Sequence, residues 1–319
     1  MKRFSPLIAC LFTLGGLLLA SCEPRVVRPA DPPGKFRVAL IMKSLANEFF
    51  QTMEKGAVAH QQKFSDVYDL ISQGIKDELD VNGQIQLVEQ MIAQKVSAIV
   101  IAPADSKALV AVCKKASESG IIVVNIDNRF DADVLAEKGI TIPFVGPDNR
   151  KGARMVGEYL SKRLKPGDPV AIIEGVSTAF NGQQRKLGFE DAMREAGMKV
   201  VASQSAQWEM ARAHDVVSAL LAEHPDLKAL LCANDSMALG AVAALKETGK
   251  QKKVLVVGYD SISAVGDLIR NGEMLATVDQ HAAELAAFGI DYALMILRAN
   301  GIAVDRETEI DLITSADAP

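Results

Sequence analysis

Residues 98–109 read AIVIAPADSKAL, and residues 229–239 read ALLCANDSMAL. Each stretch is an apolar run of strand character that leads, through an Asp-Ser pair, into the start of an amphipathic segment. A second matching pair, VVNID at 123–127 and VVGYD at 256–260, repeats at nearly the same offset of about 130 residues, and Gly56 matches Gly188. This offset predicts two copies of one structural unit.

Apolar strands alternate with amphipathic helices on both sides of these stretches. In the first half the pattern predicts strands at 36–42, 67–71, 98–102 and 121–126, with helices at 48–64, 82–94 and 106–119. In the second half it predicts strands at 170–173, 200–203, 229–233 and 254–257, with helices at 182–196, 210–222 and 236–248. A strand at 275–278, a helix at 282–298 and a strand at 309–314 follow. Because strands that are apolar on both faces form parallel sheets covered by helices, we expect an α/β fold with two doubly wound lobes.

The order of these elements also predicts how the two lobes are joined. We expect residues 35–146 and 281–309 to form an N-terminal lobe, and residues 147–280 and 310–319 a C-terminal lobe. The chain would then cross between the lobes near 146–148, 279–281 and 310–312. Several crossings make a multi-strand hinge, which permits closure without disturbing either sheet.

The first residues have the pattern of a bacterial export signal. Lys2 and Arg3 precede an apolar run at 7–20, and Leu19-Ala20-Ser21-Cys22 resembles the lipobox of lipoproteins. We therefore predict a lipoprotein signal peptide at 1–21, lipid attachment at Cys22, and a Pro-rich tether at 22–34. The protein would be exported and held on the periplasmic or extracellular face of a membrane. The alternative is an ordinary signal peptide followed by a chance Cys.

Charge, cysteine content and motifs argue against several classes of protein. The chain has 319 residues and a formal net charge of −5, whereas a nucleic-acid partner favours a basic face. Cys113 and Cys232 have no CxxC-type neighbour, so we expect buried thiols and no disulfide or metal site. The sequence after the signal has no nucleophile elbow, zinc-protease motif, phosphate loop or dinucleotide fingerprint, and we expect none of its four His at a strand end. We therefore expect no catalysis and no cofactor.

Polar side chains follow the carboxyl ends of the predicted strands, where ligands bind in open parallel sheets. They are Lys43, Asn47, Asp127, Asn128, Asn234, Tyr259, Asp260 and Gln280. A carboxylate accepts hydrogen bonds from two vicinal hydroxyls, while ammonium and amide groups donate them, so the set predicts a site for a small sugar. Asp127, Asp260 and Asn234 could instead only stabilise turns. We expect Asp105 and Asp235, which precede helices, to act as N-caps.

Aromatic side chains and one further cation complete the predicted site. Trp208 lies in a polar stretch without apolar periodicity, which favours the ligand cleft over the core. Phe49 and Phe50 are adjacent and point in different directions, so we expect one in the core and Phe50 against the ligand. With Tyr259, these rings offer flat faces for the C–H patches of a sugar. Arg185 could make either a surface salt bridge or a ligand contact.

Residues 36–315 resemble the periplasmic sugar-binding proteins of the ribose, allose and galactose type, which serve ATP-driven importers. The segments that carry the resemblance are 43–50, 125–128, 202–208, 232–240, 256–260 and 276–280. Lys43 stands where the allose-binding branch also has Lys and ribose binders have Ser. The chain departs from the family at Glu48, where Pro is usual, at Asn128, where an acidic or basic residue is usual, and at Phe180 and Asn181, where small residues are usual.

The resemblance implies a type I periplasmic-binding-protein fold and a monomer that closes on a monosaccharide and delivers it to a membrane permease. It also implies that Arg185 contacts the ligand. Two alternatives stay open: a receptor that presents a sugar to a membrane sensor or chemoreceptor, and a binder of another polyhydroxylated small molecule. A sugar-responsive repressor shares the fold but needs a DNA-reading helix-turn-helix, where this chain has its export signal and tether.

Overall fold

The computed structural model describes residues 34–299 and 304–317. Its strands are β1 (Phe36–Ser44), β2 (Tyr68–Ile75), β3 (Ala98–Ile101), β4 (Ile122–Ile126), β5 (Phe144–Pro147), β6 (Pro169–Glu174), β7 (Lys199–Ser205), β8 (Ala229–Cys232), β9 (Leu255–Val257), β10 (Thr277–Asp279), β11 (Arg306–Thr308) and β12 (Asp311–Ile313). Its helices are α1 (Glu48–Lys63), α2 (Val81–Ala93), α3 (Val110–Glu118), α4 (Ala132–Glu137), α5 (Asn149–Ser161), α6 (Phe180–Glu195), α7 (Met210–Glu223), α8 (Asp235–Glu247), α9 (Ser263–Arg270) and α10 (Ala282–Ala299). The predicted signal peptide, Cys22 and all but the last residue of the predicted tether lie outside the described residues.

Two parallel sheets organise the described chain, which confirms the predicted α/β class. The first sheet has the strand order β11-β5-β4-β3-β1-β2, and the second has the order β7-β6-β8-β9. The first four strands of each unit have the same spatial order, β2-β1-β3-β4 in the first sheet and β7-β6-β8-β9 in the second. This is expected for two copies of one unit. Below, the first lobe means the first sheet with its helices, and the second lobe means the second sheet with its helices.

Helices cover both faces of each sheet, so the central strands are fully buried. Residues 38–42 of β1 and all of β3 and β8 have no measurable exposure. The matched glycines Gly56 and Gly188 permit close helix packing at equivalent places. A Cβ at Gly56 would lie 2.4 Å from the carbonyl oxygen of Ala283 on α10, and one at Gly188 would lie 2.3 Å from that of Arg150 on α5. The repeat is therefore visible in packing as well as in strand order.

The chain passes between the two sheets at three places. β5 belongs to the first sheet and leads into α5, which packs on α6 of the second lobe. β10 continues the second sheet through a bridge between Val257 and Ala276, and it leads into α10, which packs on α1, β3 and β4. β11 pairs with β5, and β12 pairs antiparallel with β10. The three connections lie side by side between the lobes.

The sequence pattern predicted none of α4, α5, α9 and β11, and at β5 it predicted only a hinge crossing near 146–148. On the buried face of α5, the apolar residues Val156 and Leu160 stand among the small or polar residues Asn149, Gly152, Ala153 and Gly157. A Cβ at Gly157 would lie 2.8 Å from the Cβ of Ala192 on α6, so small residues bring the two helices together. The predicted helix at 106–119 begins only at Val110. None of the helices in the described ranges combines the length and the apolarity that crossing a bilayer requires.

Candidate ligand-binding site

A narrow cavity lies between the two sheets at the carboxyl ends of their strands. Its walls are formed by Lys43, Asn47, Phe49, Phe50, Glu78, Asp127, Asn181, Arg185, Trp208, Asn234, Asp260 and Gln280. Apart from Glu78 and Asn181, every one of these was predicted from the sequence. The cavity is narrow and most of the side chains in its walls are buried, so it suits a small molecule.

On the side of the first lobe, a buried ion pair forms part of the wall. Lys43 is the last but one residue of β1, and Asp127 directly follows β4, with a left-handed backbone at φ 59°. The Lys43 Nζ lies 3.1 Å from Asp127 Oδ2. The contact is ionic and not an aligned hydrogen bond, because Asp127 Oδ2 has no hydrogen-bond partner. This oxygen can therefore accept from a ligand hydroxyl.

On the side of the second lobe, Arg185 is held by three acceptors and one ring. It donates from Nε to Asn149 Oδ1 at 2.7 Å, and from Nη1 to the carbonyl oxygen of Ala233 at 2.8 Å and to Asp260 Oδ1 at 3.2 Å. Its guanidinium carbon lies 3.7 Å from the centre of the Tyr259 ring. The guanidinium thus holds Asp260 in place within the cavity wall. Burial raises the pKa of Asp260 to about 7, an effect that Arg185 opposes.

Gln280 supplies a further group that can bind a hydroxyl. Its Nε2 donates to Asp260 Oδ1 at 2.8 Å, which fixes the orientation of the amide. Its Oε1 is buried and has no hydrogen-bond partner. Buried polar atoms in proteins are nearly always paired, so a cavity wall with acceptors at Asp127 and Gln280 fits a ligand that carries several O–H donors.

Three aromatic rings form the apolar part of the wall. Phe49 and Phe50 meet edge to face, with ring centres 5.1 Å apart, and both are buried. Trp208 follows β7 with φ 70°, and its ring packs so closely on Gly175 that a Cβ there would lie 2.1 Å from Cη2. The Lys43 Nζ lies 5.6 Å from the Phe50 ring centre and 5.8 Å from the Trp208 ring. Both Phe residues line the cavity, so the expected division into one core and one cleft ring was wrong.

Glu78 is a cavity residue that the sequence reasoning missed. It is 3% exposed, and its Oε1 accepts from Asn47 Nδ2 at 3.2 Å. Burial raises its pKa to about 7; Lys43 and the bond from Asn47 oppose this, while Asp127 and Glu209 add to it. Glu78 follows β2 by three residues, so the rule that selects strand ends would have found it had β2 been predicted to reach Ile75.

Two predicted site residues, Asn128 and Tyr259, are buried but do not line the cavity. Asn128 Nδ2 donates to the carbonyl oxygen of Pro103 at 2.8 Å. Its Oδ1 accepts from the N–H of Asn181 at 3.1 Å, so Asn128 holds a cavity residue in place. Tyr259 lies beneath Arg185 instead of offering its ring to the cavity, and its hydroxyl has no hydrogen-bond partner.

Of the two residues expected to act as N-caps, Asp105 accepts capping hydrogen bonds and Asp235 does not. Asp105 Oδ1 accepts from the N–H groups of Lys107 and Ala108, as a capping residue of that turn would. Asp235, however, does not cap α8, because Asn234 Oδ1 accepts from the N–H of Met237 at 2.9 Å. Asp235 is buried in the second lobe, where it accepts from Thr277 Oγ1 at 2.8 Å and from the N–H of Ile262 at 3.1 Å. Burial raises its pKa well above the ordinary value.

The remaining titratable side chains lie away from the cavity. His281 follows β10 by two residues, so the expectation that no His lies at a strand end was wrong. Its Nε2 is 3.0 Å from Asp311 Oδ2, between the connections of the two lobes. Cys113 and Cys232 are free and buried. No group of three or more His, Cys, Asp or Glu is placed to hold a metal ion within residues 34–299 and 304–317.

The sequence and the fold of this chain match a family model and several known binding proteins. Residues 38–301 match the family model described as a periplasmic binding protein domain. The D-ribose/D-allose-binding protein of Pseudomonas aeruginosa is 56% identical over 322 residues, which cover 99% of this chain and 100% of the relative. One similar structure is an ABC transporter solute-binding protein from Burkholderia multivorans, with an unknown ligand built as alpha-D-erythrofuranose. Its TM-score is 0.86 and its sequence identity 60%, and the match covers 88% of this chain and 100% of that protein. Another is a periplasmic solute-binding protein from Actinobacillus succinogenes with bound D-allose. Its TM-score is 0.85 and its sequence identity 35%, and the match covers 89% of this chain and 99% of that protein.

Proposed function

Because this chain belongs to the periplasmic binding protein family, we propose that it is the monosaccharide-binding component of an ABC importer. As a member of this family it is a binding protein and not an enzyme, and it is exported to the periplasm. The observation that carries the proposal is the cavity wall, in which carboxylates from both lobes face a space bordered by aromatic rings.

The chemistry of this wall fits a sugar. Asp127 and Asp260 accept from O–H groups, and each is already neutralised by a cation of its own lobe, so an uncharged ligand leaves the charge balance intact. Hydrogen bonds to charged groups contribute about 1.5–3 kcal/mol each. A hydroxyl of the wrong configuration leaves a buried polar group unpaired, which is how such a site rejects epimers. Phe49, Phe50 and Trp208 suit the C–H faces of the ring.

D-Allose and D-ribose are the ligands that we favour. The names of the Pseudomonas aeruginosa relative and the ligand of the Actinobacillus succinogenes structure support this choice. We propose the twelve cavity residues as the ligand contacts, with Asn128 and Tyr259 as supports behind them. We also propose that ligand binding closes the two lobes about the connections near 147–148, 280–281 and 309–310, and that a membrane permease binds the closed monomer.

A lipid anchor is the second part of the proposal. Leu19-Ala20-Ser21-Cys22 directly follows an apolar run, and the polar, Pro-rich residues 22–34 have the composition of a tether. Several acyl chains on Cys22 would hold the protein at the membrane stably, since one chain alone binds marginally. The receptor would then meet its permease by diffusion along a surface.

Calorimetry with a panel of small molecules tests the ligand class. We expect binding of D-allose or D-ribose, weaker binding of D-galactose and myo-inositol, and none of amino acids or nucleosides. Asp127→Ala and Asp260→Ala should abolish the heat of binding while thermal unfolding stays cooperative. Asp267→Ala, which removes an exposed carboxylate of the second lobe, should bind as the wild type does. Binding of an amino acid or a nucleoside, with none of any sugar or polyol, would refute the assignment.

A further inference from the structure

Two helices of the second lobe begin at the cleft after a residue whose side chain cannot cap them. Ala179 precedes α6 and Ile262 precedes α9; both have extended backbones, and neither side chain can accept a hydrogen bond. The neighbouring helices α5 and α8 are capped locally, by Asp148 and Asn234. The first N–H groups of α6 and α9 therefore need acceptors from elsewhere.

For α6, these acceptors come from the first lobe. The N–H of Phe180 donates to Ser106 Oγ at 2.9 Å, and the N–H of Asn181 donates to Asn128 Oδ1 at 3.1 Å. Ser106 and Asn128 lie in loops that follow β3 and β4, so both bonds cross the cleft between the lobes. Two of the first N–H groups of α6, which have no acceptor within the helix, are thus satisfied by the opposite lobe, while the N–H of Gly182 donates to Asn181 Oδ1.

For α9, the acceptor is Glu48 at the start of α1 in the first lobe. Its Oε1 accepts from the N–H of Ser263 at 2.8 Å and also from the Ser263 hydroxyl. A carboxylate at the first turn of a helix is stabilised by the partial positive charge of that end. Glu48 is one of the positions at which this sequence departs from the family it resembles.

These acceptors do not depend on a ligand. None of Glu48, Ser106 and Asn128 lines the cavity. Asn128 is held within the first lobe, because its Nδ2 donates to the carbonyl oxygen of Pro103 and its carbonyl oxygen accepts from Asn125 Nδ2, both at 2.8 Å. Asn128 is therefore held in place within the first lobe before the lobes meet.

We propose that Glu48, Ser106 and Asn128 are positioning residues that cap α6 and α9 across the cleft and so stabilise the closed form without touching the sugar. The inference rests on closure as the proposed binding mechanism. Opening the lobes transfers the helix N–H groups to water and removes the caps. One cap of ordinary strength changes the ratio of closed to open molecules about fivefold. The closed form is then measurably populated without ligand, and the ligand's apparent affinity rises with that population.

Two proline substitutions remove the α9 cap from opposite sides. Glu48 and Ser263 are each the first residue of a helix, where Pro is tolerated, and the residues before them are extended, as a residue before Pro should be. Glu48→Pro removes the acceptor, while Ser263→Pro removes both donors. Each should lower the ratio of closed to open molecules in the ligand-free protein about fivefold, as measured by distances between one spin label on each lobe.

The double variant is the decisive measurement. Glu48→Pro with Ser263→Pro should match either single variant, because both delete the same interaction. Ser106→Ala acts on the other helix, and its effect should multiply with that of Glu48→Pro. Glu54→Ala is the control, since Glu54 lies on α1 and accepts from Ser72 Oγ within the first lobe. Three outcomes would overturn the proposal. The ligand-free protein could be entirely open, all variants could have the same closed fraction, or the effects of the two Pro substitutions could multiply.

The distances between the spin labels in the ligand-free protein test this inference independently of the proposed function, because their measurement needs no sugar. If neither D-allose nor D-ribose binds, the closed fractions still decide whether the cross-cleft caps act. If D-allose binds, its release from Glu48→Pro should be about fivefold faster than from the wild type, with little change in the association rate. An unchanged release rate would contradict the role of Glu48 in the liganded form.

Discussion

Lys43 and Asp127 form an ion pair within the first lobe, with 3.1 Å between Nζ and Oδ2 and side chains that are 3% and 2% exposed. Arg185 and Asp260 form the corresponding pair within the second lobe at 3.2 Å. Each lobe therefore brings its own neutralised carboxylate to the cavity. Because neither pair spans the cleft, opening the lobes does not separate a buried pair of charges, which would be costly.

Removal of one partner of the first pair should destabilise the fold. Lys43→Met leaves Asp127 as an uncompensated buried charge, and we expect a loss of about 3–5 kcal/mol in the free energy of unfolding by urea. Lys43→Met with Asp127→Asn should recover most of that loss, because no buried charge remains. Both variants should fail to bind sugar by calorimetry. A double variant as unstable as the single one would show that the two charges do not compensate each other.

Glu78 should make sugar affinity depend on pH. Burial raises its pKa to about 7 in the closed cavity, and water that enters on opening returns the pKa toward its ordinary value of about 4.3. Closure then takes up a proton between these values, so affinity should rise as pH falls through 7, by up to about tenfold per unit, and stay flat above 7.

The variant Glu78→Gln isolates the part of the pH dependence of sugar affinity that is due to Glu78. Burial raises the pKa of Asp260 as well, with the same sign of effect, so the informative quantity is the difference between wild type and variant. We expect calorimetric titrations from pH 5 to pH 8, in steps of about one unit, to show a shallower dependence for Glu78→Gln. Equal slopes in the two proteins would contradict a linked proton on Glu78.

Gly175→Ala should displace Trp208. The added Cβ would lie 2.1 Å from Trp208 Cη2, so the ring must leave the cavity wall. Since Trp208 is the single Trp of the chain, its fluorescence reports the displacement directly. We expect at least a tenfold loss of sugar affinity, in line with the removal of an aromatic contact.

Gly266→Ala serves as the matched control. It lies on α9, and its new Cβ would meet only Arg270 Nη1, at 3.6 Å. We expect unchanged fluorescence and sugar affinity, with the free energy of unfolding raised by about 0.4–1 kcal/mol. If Gly175→Ala behaves as this control does, the tight contact with Gly175 is not what positions Trp208.

Cys22→Ser should release the protein from the membrane. It removes the sulfur to which we expect lipid to be attached, so the protein should move to the soluble periplasmic fraction in cell fractionation. Cys10→Ser changes a Cys within the predicted signal peptide and should leave the membrane association unchanged. Equal membrane association of both variants would refute the anchor.

Local sequence was sufficient to predict the two lobes and most of the cavity wall. In a parallel sheet, apolar runs that are buried on both faces must be strands, and the residues directly after them must lie at one edge. Asp127, Asn234, Asp260 and Gln280 follow from this rule alone. Their chemistry, acceptors and donors beside aromatic rings, also indicates a sugar, because the residue types themselves carry that information.

Only the tertiary structure decided which neighbours face the ligand. Asp260 lines the cavity and Tyr259 does not, although the two are adjacent, because successive side chains point in opposite directions and the backbone turns to φ 115° at Asp260. The pairing of Glu48 with Ser263 joins residues 215 positions apart across the cleft, so no local pattern contains it. The sequence by itself therefore determined the fold and the chemical character of the site, since both depend on short-range periodicity. The direction of each side chain and the contacts between lobes depend on how the three connections place one sheet opposite the other.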